Sequence, residues 1–137
     1  MKRVFTIIFA IAIIITMQTS VMAQESDIIA SPRYSYISVI SANLNINKTT
    51  GIASCGASGV IDSGDSLVLS CSLQRYNGST WTTVKTWSTT TARSAVITKN
   101  YTVASGYTYR VRVTGSVYNS NGVLVESGNC YSSQVVY

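Results

Sequence analysis

The residue types that carry most enzymatic chemistry are scarce in this chain. It has no histidine, so neither a Ser-His-Asp nor a Cys-His nucleophile pair can be built, and no zinc site can use imidazole. Its five carboxylates are Glu25, Asp27, Asp62, Asp65 and Glu126. Glycoside hydrolysis needs two carboxylates facing one sugar bond, yet only Asp62 and Asp65 are close in sequence, and they sit in a Gly/Ser turn. Asp62-Ser63-Gly64-Asp65-Ser66 has part of the make-up of a calcium loop, but two carboxylates are too few for a tight site and the same residues are ordinary turn formers. No glycine-rich loop followed by lysine is present to cradle a phosphate. The residues argue against an enzyme, and they imply no cofactor and no metal.

Three other groups of residues have chemical potential. Trp81, Thr83, Lys85 and Trp87 alternate, and on one regular strand they would share a face. Turned outward, this strip would let both indoles stack on sugar rings, with Lys85 favouring an anionic polysaccharide or wall polymer. Turned inward, the tryptophans would be core or edge packing, the plainer use of aromatics in a small β protein. Arg110 and Arg112, with Lys99, Lys85 and Arg75, could line a basic sheet face. The net charge of +5, about +3 once Lys2 and Arg3 of the N-terminal leader are set aside, is too sparse for a dedicated nucleic-acid surface. Solvated surface charge is the simpler reading, and no nucleic-acid partner is expected.

The third group is Cys55, Cys71 and Cys130, which leave one thiol over in any single pairing. Cys55 and Cys71 fall on the apolar phase of neighbouring strands, which favours a Cys55–Cys71 disulfide worth about 3 kcal/mol in the chain-entropy model. Three unpaired thiols acting as small hydrophobes are the alternative. Cys130 is off the phase of Val123, Val125 and Tyr131 and is expected to be exposed.

The elements that must position these residues are strands, preceded by a leader. A basic start at Lys2-Arg3, an apolar stretch from Val4 to Ile15 and the exit Val21-Met22-Ala23 make a secretory signal peptide over residues 1–23, its apolar run too short to span a bilayer. Residues 24–30 read as a loose tail and residues 31–137 as one domain. With no lipidation cysteine at the cleavage site and no apolar tail, the mature chain is expected to be secreted, extracellular and not membrane-spanning.

Within the domain, Ile40, Ala42, Leu44 and Ile46 alternate with polar residues, after a break of phase near Ile37 and Val39 that suggests a bulge or a change of sheet. Leu67, Leu69, Cys71 and Leu73 form a second apolar face, and Tyr107, Tyr109, Val111 and Val113 alternate with Thr108, Arg110, Arg112 and Thr114. Asn77-Gly78 and Asn121-Gly122 read as hairpin turns. Trp81 to Ser88 reads as a strand and the Thr/Ser run to Arg93 as a loop. About seven strands with no helical period predict an all-β, immunoglobulin-like antiparallel β-sandwich.

The run Val103-Ala104-Ser105-Gly106-Tyr107-Thr108-Tyr109-Arg110-Val111-Arg112-Val113 resembles the approach to the sixth strand of fibronectin type III and related immunoglobulin-like domains. That resemblance implies that Tyr109 is the corner tyrosine, its ring in the core and its hydroxyl on nearby backbone. Ser31-Pro32-Arg33-Tyr34, Leu73-Gln74-Arg75-Tyr76, Trp81 to Trp87 and Gly106-Tyr107-Thr108-Tyr109-Arg110-Val111 resemble a family of small secreted proteins of Clostridia-type Gram-positive bacteria, a domain of unknown function. This resemblance implies an exported protein of the same fold and assigns it no activity.

Two functions fit these readings. The first is a secreted, non-catalytic binding or adhesion module for cell-wall or host glycan. The second is a structural or assembly subunit of the cell surface that docks through exposed sheet edges and has no small-molecule ligand.

Overall fold

The computed structural model describes residues 33–137. The signal peptide expected over 1–23 and the tail over 24–30 lie outside the described residues. The chain forms β1 (Ile37–Asn47), β2 (Ile52–Ile61), β3 (Ser66–Tyr76), β4 (Trp81–Thr91), β5 (Ser94–Thr102), β6 (Thr108–Tyr118), β7 (Leu124–Tyr131) and the short β8 (Val135–Val136). One sheet has the order β1-β2-β5 and the other β4-β3-β6-β7, with β8 continuing beside β6. Every pairing is antiparallel. The two sheets face each other as an immunoglobulin-like β-sandwich.

Alternation builds the core. Ala53, Cys55, Ala57 and Ile61 from β2 meet Leu67, Leu69, Cys71 and Leu73 from β3 and Tyr109, Val111, Val113 and Val117 from β6, all buried. Small residues on one sheet receive large ones from the other. A Cβ on Gly59 would come within 2.9 Å of a Leu69 methyl and 3.1 Å of a Leu67 methyl, so only glycine lets these leucines seat. The β3–β4 hairpin is closed by Asn77, whose Oδ1 accepts from the backbone N–H of Ser79 at 2.9 Å and Thr80 at 2.7 Å, with Gly78 at φ 95°.

β4 runs three residues beyond the expected strand. Thr89, Thr90 and Thr91 pair with Leu69, Val68 and Leu67, because β-branched threonine suits a pleated strand better than the loop read at those positions.

The register slips once in each of β1, β4 and β7. Ser38 is the extra residue in β1, Val84 in β4 and Val125 in β7. All three strands are sheet edges.

Candidate functional site

The slip at Val84 decides where the tryptophans go. Leu73 pairs with Lys85 and Gln74 with Thr83, so Val84 is passed over. Beyond it, Trp87 stands opposite the buried Cys71 and leans on the core, edge-on to Tyr101 at 6.3 Å. Before it, Trp81 stands opposite Tyr76 on the outer face. The expected strip of Trp81, Thr83, Lys85 and Trp87 therefore does not exist. An extra residue flips the phase of a strand, so Trp81 and Thr83 face out while Trp87 packs inward and Lys85 projects from the inner phase of an edge.

Residues from three other strands gather beside Trp81 instead. Tyr76 lies against its indole, centroids 5.2 Å apart. The Arg110 guanidinium sits 4.1 Å from the Trp81 ring and 4.2 Å from the Tyr131 ring. Arg110 Nε donates to Gln74 Oε1 at 2.9 Å, and Gln74 is only 7% exposed. The result is a ladder, Tyr76–Trp81–Arg110–Tyr131, standing on the outer face of the five-stranded sheet near the β3–β4 hairpin. The indole is thus engaged by protein groups rather than presented bare beside a second outward tryptophan, as the strip reading required. Tyr76 and Tyr131 remain exposed at the two ends.

The basic face contracts in the same way. Arg110 and Arg112 point outward with Gln74 and Ser72. Arg75 takes the inner phase opposite Tyr109, its guanidinium 4.4 Å from the Tyr107 ring and its Nε buried without a partner among the described residues. Lys85 and Lys99 lie on the inner phase of the edge strands β4 and β5, exposed because nothing covers them there. Of the described carboxylates, Asp62 and Asp65 flank the β2–β3 turn and Glu126 pairs with Val117, so all three sit toward the opposite end of the sandwich from the ladder.

Tyr109 is 1% exposed, and its hydroxyl donates to the Ala104 carbonyl at 2.8 Å, a tyrosine-corner contact. Burial pushes its phenol up, partly offset by the Arg75 charge and the Ala104 bond. This group holds the turn before β6 and thereby the strand that carries Arg110 and Arg112.

The expected Cys55–Cys71 disulfide is not formed, and all three cysteines are free. β2 and β3 are consecutive in sequence but belong to different sheets, so a bridge would have to span the core rather than staple neighbours. Burial pushes the Cys55 thiol up to about 12, with Cys71 adding to the effect, and the Cys71 thiol up to about 11. Cys130 is half-buried rather than exposed, because the slip at Val125 brings it onto the inner face with Val113. It lines a cavity of about 650 Å³ with Arg33, Tyr34, Ile40, Asp62 and Asn129.

At that end Glu126 closes the gap between the sheets. Its carboxylate accepts the backbone N–H groups of Ser35 at 2.7 Å, Tyr36 at 2.9 Å and Ile37 at 2.8 Å. Tyr34 packs where a side chain at Gly128 would stand.

Among the described residues no cluster of three or more His, Cys, Asp or Glu could hold a metal, and no helix is long and apolar enough to cross a membrane. Comparison with protein families, with curated proteins and with solved structures finds no match to this chain. The functional reading rests on the residues themselves.

Proposed function

We propose that this protein is a secreted, non-catalytic binding or adhesion module whose ligand is a cell-wall or host glycan, held on the outer face of the five-stranded sheet. The observation that carries the reading is the ladder. Three aromatic rings and a guanidinium are ordered on an outer face, where they leave Tyr76 36% and Tyr131 47% exposed beside the exposed Arg112. A rigid aromatic surface presented at little conformational cost suits sugar recognition.

The assembly reading is less well supported by the edges. Slips interrupt β1, β4 and β7, and Lys85 and Lys99 set charges on the inner phase of β4 and β5, devices that blunt edge-to-edge docking. Size-exclusion chromatography separates the two, since assembly requires a concentration-dependent ladder of oligomers.

The direct test is retention on purified wall polysaccharide and on immobilised host glycans. Tyr131→Ala should abolish retention while moving the melting temperature by only a few degrees, as for an exposed side chain. Retention unaffected by Tyr131→Ala, or no retention on any glycan, would overturn the reading.

A further inference from the structure

Arg110 and Arg112 stand two apart on β6 with both side chains on the outer face, so their Cα atoms are about 7 Å apart. Arg110 is fixed in place by Gln74 at Nε and by the Trp81 and Tyr131 rings, whose centroids lie 4.1 Å and 4.2 Å from its guanidinium carbon. That leaves its in-plane Nη edge as the part able to meet a ligand. Arg112, beside Ser72 and Tyr131 in register, is exposed. No described Asp or Glu shares this face, because Asp62 and Asp65 are in the β2–β3 turn and Glu126 takes the inner phase of β7. The sheet thus sets two like charges side by side with no acidic side chain beside them. Packing accounts for Arg110 but not for Arg112, which has no aromatic cover.

We propose that Arg110 and Arg112 form a two-pronged anion site, and that its ligand is a chain polyanion with phosphate or carboxylate groups spaced along its backbone. The inference rests on the binding-module reading and narrows its ligand from glycans in general to acidic polymers. A planar guanidinium grips either oxyanion through two parallel N–H bonds, which a lysine cannot do. Pre-stacking removes the rotamer entropy that Arg110 would otherwise lose on binding. The exposed Tyr131, in register with Arg112 and with its ring 4.2 Å from the Arg110 guanidinium, offers a surface to the sugar or polyol that links successive acidic groups.

The test is titration calorimetry of the full secreted chain with three oligomers of similar length: a polyol phosphate, a polyuronate and a neutral β-glucan. One of the acidic oligomers should bind and the neutral one should not, and the preferred acid identifies the source. Arg112→Gln should weaken binding about tenfold or more, the expected loss of a charge-assisted contact, with the melting temperature unchanged because the side chain is exposed. Arg110→Lys should weaken it comparably despite keeping the charge. Equal binding of the neutral and acidic oligomers, insensitive to Arg112→Gln, would overturn the anion site and leave the binding module standing. Binding of none of them, on a folded protein, would count against both.

Discussion

Removing the Glu126 carboxylate tests how the first strand is held. Its oxygens take three backbone N–H groups from Ser35, Tyr36 and Ile37, residues that lead into β1. A hydrogen bond to a charged group contributes about 1.5–3 kcal/mol net, but Ser35 is exposed and the carboxylate is only half-buried, so water replaces part of what is lost. The donors of Tyr36 and Ile37 are the ones left unsatisfied. Glu126→Ala should therefore cost about 2 kcal/mol rather than a threefold sum, or roughly 8–10 °C for a domain of this size.

The pH dependence has a fixed sign. Desolvation pushes the Glu126 carboxyl up, but the donors from Ser35, Ile37 and Tyr36 outweigh it and hold the folded group below the usual carboxylate range. The unfolded chain, with an ordinary value of about 4.3, then binds more protons in the window below that value. The stabilisation is fully present above the unfolded pKa and is lost as pH falls through the folded one. Urea unfolding of wild type and Glu126→Ala at pH 7 and pH 3 isolates the contribution, and amide exchange at Ser35, Tyr36 and Ile37 locates it. A variant as stable as wild type at pH 7, or an undiminished gap between the two proteins at pH 3, would refute the reasoning.

Trp87→Ala and Trp81→Ala should behave differently. The first opens the core beside Cys71 and Tyr101 and should cost about 3 kcal/mol, whereas the second removes outer-face stacking and should cost about 1 kcal/mol; equal losses in thermal unfolding would place both tryptophans on one face after all. Tyr109→Phe keeps the ring and removes the bond to Ala104, so it should cost about 1–2 kcal/mol, and a neutral result would show that the corner bond does not hold the turn. In the folded protein a thiol reagent at pH 8 should modify Cys130 alone, with Cys55 and Cys71 reacting only after unfolding. A Cys55–Cys71 linked peptide in a non-reduced digest would overturn the free-thiol pair.

Much of the fold was legible because inner and outer residues alternate cleanly where strands are regular. Leu67 to Leu73 and Tyr109 to Val113 could be read directly, and so could the break of phase before Ile40. The register slips at Val84 and Val125 could not be read, since an inserted valine looks like any other strand residue. Each one reversed the expected facing of the residues beyond it, sending Trp87 inward and bringing Cys130 off the surface. Sheet membership was equally hidden. The turn at Asp62-Ser63-Gly64-Asp65 would suit a hairpin within one sheet or a crossing between two, and that choice puts Cys55 and Cys71 in different sheets. The ladder had only half a signal. The outward phase of Arg110 and Arg112 was visible, but Gln74, Trp81 and Tyr131 reach Arg110 through the pairing of β3, β4, β6 and β7, which no local pattern records.

The same slips connect the edges to the site. A bulge in an edge strand interrupts the row of free backbone groups and also re-aims the side chains beyond it. In β4 the slip leaves Trp81 on the outer face while Trp87 closes the flank of the core. In β7 it turns Glu126 toward the backbone of Tyr36 and Ile37 and leaves Tyr131 outward, over Arg110. Without those two insertions a strict period-two pattern would place Trp81 and Trp87 on one face and Glu126 and Tyr131 on different ones from those they occupy, so neither the ladder nor the Glu126 bonds to Ser35, Tyr36 and Ile37 could form. The irregularities that discourage edge-to-edge assembly are thus the ones that build the outer-face cation–aromatic array. A chain selected to polymerise through its edges would have no use for them, whereas a chain that presents one sheet face to a ligand has use for both effects.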